Sequence, residues 1–122
     1  MEVNCTERNG NLVVKIVGEI DHHTADRIRY TAEREFFKSS AKNMVFDFAH
    51  VGFMDSSGIG MIIGRYKEVK KAGGKVFAIN ITPEIDRIFM ISGLKKIINC
   101  FKSLDEVADF VTTRSLEGKE YA

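Results

Sequence analysis

Asn43-Met44-Val45-Phe46-Asp47-Phe48, followed by the helical stretch Ser56–Lys71 and then Lys75-Val76-Phe77-Ala78-Ile79, is the segment that decides the fold. Two short apolar, β-rich runs flank a stretch whose apolar residues recur at 3.6-residue spacing. Ile59, Ile62, Ile63, Tyr66 and Val69 share one face of that helix. A strand, a crossover helix and a second strand predict a parallel pair with a right-handed connection. Gly73-Gly74 ends the helix, and the lysines in its last turns suit its dipole.

The same alternation extends both ways. Upstream, Leu12-Val13-Val14-Lys15-Ile16-Val17 reads as a strand, with residues 2–6 as its antiparallel hairpin partner through Asn9-Gly10-Asn11. Ala25, Ile28, Ala32 and Phe36 mark an amphipathic helix over 22–38, with Asp21 as its N-cap. Downstream, Thr82-Pro83 opens a short helix lined by Ile85, Ile88 and Phe89 and stopped by Gly93. Ile97-Ile98 is a strand candidate. Ser103-Leu104-Asp105-Glu106 is a capping box for a last helix, with Val107, Phe110 and Val111 inside. The expectation is a single α/β domain over residues 1–122, with a mixed central sheet and about four helices. Its core spans about residues 2–115, and the tail after about 115 is expected to fray.

Composition narrows the function. The 122 residues balance 18 Lys and Arg against 17 Asp and Glu, for a net charge of +1. A dedicated nucleic-acid binder would show a basic excess, so no nucleic-acid partner is expected. The apolar runs are far shorter than the roughly 20 residues of a membrane span, and the first residues lack a secretory pattern. No membrane partner and a cytoplasmic location are therefore expected. Cys5 and Cys100 match no metal spacing and read as reduced thiols.

The motifs disfavour three kinds of chemistry. Neither Ser56 nor Ser57 has glycine two residues before and after, so there is no nucleophile elbow. Gly58, Gly60 and Gly64 give G-x-G-x-x-x-G, one residue longer than a dinucleotide fingerprint, and no G-K-[ST] follows. His22 and His23 are adjacent and diverge on a helix, which suits no metal. A small nucleotide-binding or hydrolytic α/β protein is the alternative these motifs disfavour.

The helix 56–71 offers another reading. On a helical wheel, Ser57, Met61, Gly64, Arg65 and Glu68 lie opposite the apolar stripe. A surface glycine costs about 1 kcal/mol of helix propensity relative to alanine. Beside an outward methionine it suggests a docking surface for a protein. Ser56 is expected to cap the helix with its hydroxyl. The same position suits a phosphate, which would add about −1.5 to −2 charges beside Asp55 and repel a docked partner.

Phe53-Met54-Asp55-Ser56-Ser57-Gly58-Ile59-Gly60 resembles the signature of the bacterial anti-sigma factor antagonists, the STAS domain family. Gly18-Glu19-Ile20-Asp21-His22-His23-Thr24-Ala25, Gly64-Arg65-Tyr66-Lys67 and Ser92-Gly93-Leu94-Lys95-Lys96-Ile97-Ile98 extend the match over nearly the whole chain, toward the sporulation, anti-sigma F branch. The resemblance implies a regulator that is not an enzyme. Its partner would be an anti-sigma factor that is also a serine kinase, and a serine phosphatase would reverse the modification. The unphosphorylated form would bind the kinase and release the sigma factor, and phosphorylation of Ser56 would end the complex. Asp21 would lie near Ser56. With the docking residues above, the implied partner-binding set is Asp21, His22, Asp55, Ser57, Gly58, Met61, Gly64 and Arg65. ATP and Mg²⁺ would come with the kinase, so no cofactor is expected here. The free protein would be a monomer. An antagonist of a general stress sigma factor is the nearest alternative.

Overall fold

A computed structural model describes the backbone of residues 1–121 and the side chains of residues 1–114. The expected fraying after about residue 115 falls on side chains outside that described set. Strands β1 (Glu2–Arg8) and β2 (Asn11–Val17) form the hairpin. Asn9 and Gly10 at its tip both have positive φ, 51° and 83°, the pattern of a two-residue turn that matches strand twist. Then follow α1 (His22–Lys38), β3 (Asn43–His50), α2 (Ser56–Lys71), β4 (Val76–Ile79), α3 (Pro83–Ser92), β5 (Asn99–Phe101) and α4 (Leu104–Tyr121).

The sheet order is β1-β2-β3-β4-β5. β1 is antiparallel to β2, and every later neighbour pair is parallel. The mixed α/β sheet with four helices is the expected architecture.

Right-handed crossovers that step in one direction put their helices on one face. The alternation of side chains in the strands shows this directly. Leu12, Val14, Ile16, Met44, Phe46, Phe48, Val76 and Ala78 face the large core shared with α1, α2 and α3. Val45, Phe77 and Ile79 face the opposite way and meet Val107 of α4. One correction concerns the last strand. Ile97-Ile98 is not it: a short 3₁₀ turn at Leu94–Lys96 precedes β5, and Ile98 is a buried anchor ahead of that strand. Ile98 is apolar for core contact rather than strand pairing, and Ile97 is exposed.

Candidate functional site

The loops after β2 and β3 are joined by backbone before either helix begins. Ile20 donates to the Phe53 carbonyl at 3.0 Å, and Asp55 donates to the Ile20 carbonyl at 3.1 Å. This bridge sets the N-termini of α1 and α2 side by side. Each helix is then capped by an aspartate. Asp21 accepts from His23 N at 2.9 Å and Thr24 N at 3.0 Å, while the Asp21 amide donates to Thr24 Oγ1 at 2.9 Å. The hydrogen bond from the Thr24 amide is the leading cause that holds the Asp21 carboxyl below its ordinary pKa. Asp55 accepts from Ser57 N at 2.8 Å and Gly58 N at 3.4 Å.

Asp55, and not the expected Ser56, is therefore the cap of α2. Ser56 occupies the first helical position and is exposed, so its hydroxyl is free of capping duty. The carboxylate one residue earlier has the extended φ and ψ from which a side chain reaches back to the free amides.

Three expected docking residues turn out to face inward. Met61 is 5% exposed and Arg65 is 6% exposed. Both look toward α1, where the Arg65 guanidinium pairs with Glu33. Arg65 Nε is buried without a hydrogen-bond partner. Gly58 is also buried, and a Cβ there would meet Ile20 Cγ2 at 2.8 Å and Met54 Sδ at 2.9 Å. Gly58 was expected at the surface only through the family resemblance, whereas the helical wheel misplaced Met61 and Arg65 because α2 is covered from the sheet and from α1 at once. Its inward face is wider than the isoleucine stripe, and Arg65 counts as surface only until its partner on another helix is known.

The face that does remain open runs along Ser56, Gly60 and Gly64, four residues apart, to Lys67. A Cβ at Gly60 or Gly64 would meet nothing within 4 Å. Neither glycine is required by packing, yet each weakens the helix by about 1 kcal/mol relative to alanine. The result is a bare strip of helix backbone with Ser56 at its head. Ser57 is half-buried at the same end, and His22 is exposed at the start of α1. Phe53, 49% exposed, stands in the adjoining loop. Phe53 and Gly60 join this surface beyond the docking set expected from the sequence. The signal for Phe53 was an aromatic residue in a loop, and for Gly60 a helix glycine with no turn to make.

The model of a known family, described as "STAS domain", matches residues 2–107, which hold both capped helix starts and the glycine strip. The chain belongs to the STAS domain family. An anti-sigma F factor antagonist of Paenibacillus polymyxa is 34% identical over 98 residues, covering 80% of this chain and 84% of the relative. The anti-sigma factor antagonist SpoIIAA in its unphosphorylated form superposes with a TM-score of 0.77 at 26% identity, over 92% of this chain and 97% of that one. The phosphorylated form of SpoIIAA, described as a Bacillus cell fate determinant, gives 0.69 at 27% identity, over 90% and 99%.

Proposed function

We propose that this STAS protein is an anti-sigma factor antagonist, and that Ser56 is its switch. The observation that carries the reading is the exposed, uncommitted Ser56 hydroxyl at the head of the Gly60–Gly64 strip. A partner kinase needs a hydroxyl it can reach, and it needs close approach to the helix beyond. The bare strip offers both. The unphosphorylated form binds an anti-sigma factor serine kinase across this strip, with Asp21, His22 and Phe53 at its edge, and the sigma factor is released. The kinase brings ATP and Mg²⁺, and this chain supplies the acceptor and the docking surface without catalysing a reaction.

Phosphorylation puts about two negative charges at the first turn of α2. The helix dipole tolerates them, so the fold survives. The neighbouring Asp55 and Asp21 carboxylates then make this end strongly acidic, and the phosphate fills the space in which a partner would sit. A serine phosphatase restores the binding form. The existence of a related structure in a phosphorylated form supports this cycle. The free protein works as a monomer in the cytoplasm, and none of the helices of the described residues is long and apolar enough to cross a membrane.

The test is intact-mass spectrometry after incubation with the anti-sigma kinase and ATP, beside Ser56→Ala. One added phosphate on the wild type and none on the variant is expected. An unmodified wild type, with the kinase active on another substrate, would overturn the assignment.

A further inference from the structure

The two ends of the domain differ in charge. The strand C-terminal end, where Ser56 lies, carries Glu19, Asp21, Asp55, Glu84, Asp105 and Glu106. The opposite end is built from the chain segments that enter β3, β4 and β5. Backbone contacts join them: Lys42 donates to the Gly10 carbonyl at 2.8 Å, and Met44 donates to the Lys75 carbonyl at 3.0 Å. A shallow cavity of about 290 Å³ there is lined by Lys70, Lys75 and Ile97 together.

This end exposes Lys38, Lys42, Lys70, Lys71, Lys75 and Lys96. The helix dipole accounts for Lys38, Lys70 and Lys71, which sit in last turns. It does not account for Lys42 and Lys75, which lie in loops, or for Lys96 after α3. Among the described side chains the acids at this end are Glu7, Glu35 and Glu68, and of these Glu68 reaches a lysine, Lys71, at 3.7 Å. Large apolar side chains stand out among the cations. Phe37, in the last turn of α1, is 91% exposed, and Ile91, in the last turn of α3, is 80% exposed. Ile97, six residues after Ile91, is 36% exposed. Folding explains none of the three, because water is the poorest place for them.

We infer that this end is a peripheral contact surface for an anionic lipid bilayer. Lysine charges attract acidic headgroups without fixed geometry, and apolar tips enter the interface. A nucleic-acid surface would favour arginine forks and several stacking aromatics in a groove, whereas this end is mainly lysine, with Arg8 at its hairpin edge and a single aromatic tip, Phe37, beside the aliphatic Ile91 and Ile97. The expectation of no membrane partner rested on the lack of a spanning segment, which does not bear on surface contact. Seated this way, α2 stands away from the bilayer. Its 16 residues hold Ser56 about 24 Å from the lysine end. The docking strip thus stays open while the domain is on the surface.

The experiment is co-sedimentation of the full chain with phosphatidylcholine vesicles, with and without phosphatidylglycerol, at low and high salt. Binding is expected on the anionic vesicles alone and should fall at high salt. Lys42→Glu, Lys75→Glu and Lys96→Glu together should cut it by at least about tenfold. Phe37→Ser with Ile91→Ser should weaken it further at unchanged thermal midpoint, and Ser56→Asp should leave it unchanged. No preference of the wild type for anionic vesicles would overturn the inference. So would equal or tighter binding to duplex DNA that ignores Phe37→Ser and Ile91→Ser.

Discussion

Ile20 and Met54 form an isolated parallel β-bridge just ahead of α1 and α2, and it fixes the spacing of the two helix N-termini. Both side chains are buried, at 0% and 2% exposure, and both press on Gly58 one turn into α2. The position of Ser56 therefore depends on a contact that no local helix signal contains.

Adding a methyl group at Gly58 should disturb this contact. Gly58→Ala is expected to destabilise the fold by about 1–3 kcal/mol through overpacking against Ile20 and Met54. Gly60→Ala and Gly64→Ala should stabilise it by up to about 1 kcal/mol each, because their Cβ atoms would meet open space. Urea denaturation of the three variants checks the contrast in sign.

At Met61 and Gly64 the two substitutions to lysine should separate. Met61→Lys puts an ammonium into a site that is 5% exposed and should cost several kcal/mol, about 2 or more. Gly64→Lys should leave the thermal midpoint nearly unchanged and lower kinase affinity by at least about tenfold, since an apolar-to-charged change at a docking centre is of hot-spot size. Calorimetry of unfolding and of binding reads both effects. A stable Met61→Lys would show that this side chain is outside the α1–α2 seam.

Phosphate at Ser56 should be mimicked in part by a carboxylate. Ser56→Ala should bind the kinase like wild type yet accept no phosphate, and Ser56→Asp should bind at least about tenfold more weakly at an unchanged fold. Equal binding of Ser56→Asp and wild type would mean that charge at this position is not the switch.

The α1–α2 seam should be sensitive to which partner is removed. Glu33→Gln leaves the Arg65 charge buried, whereas Arg65→Met removes it and keeps an apolar stem. Glu33 is itself 42% exposed, so the pair is only partly desolvated, and about 1–3 kcal/mol is the expected loss for Glu33→Gln. Arg65→Met should cost less, by thermal or urea unfolding. The reverse order would mean that the ion pair itself holds the helices together.

Acid should loosen the start of α1. The Asp21 carboxyl is held below its ordinary value of 3.8 in the folded chain, so its stabilising effect is complete above that value and is lost as pH falls through the lower folded one. Asp21→Ala should thus lie below wild type in thermal midpoint by a constant amount from neutral pH to about pH 5, and the gap should close in stronger acid. A gap that stayed constant to low pH would show that the cap does not depend on ionisation.

Much of this protein is set by local signals that sequence carries on its own. The bounds of α1 and α2, the Asp21 and Thr82 caps, the hairpin at Asn9-Gly10 and the antiparallel-then-parallel sheet all follow from spacing, capping chemistry and turn residues. The parallel order follows from the handedness of the crossovers between strands about thirty residues apart, and the helix bounds, caps and hairpin depend on groups within a few residues of one another. Which side of α2 is free does not. Met61 and Arg65 are inward because α1 packs beside them, and Glu33 lies 32 residues from Arg65. Gly58, Gly60 and Gly64 read alike in sequence, and only the neighbours brought by the Ile20–Met54 bridge separate the glycine that must be small from the two that leave the helix bare. Periodicity reports the average direction of the core. The tertiary structure decides exposure, because burial is a property of all the elements around a residue and not of its own helix.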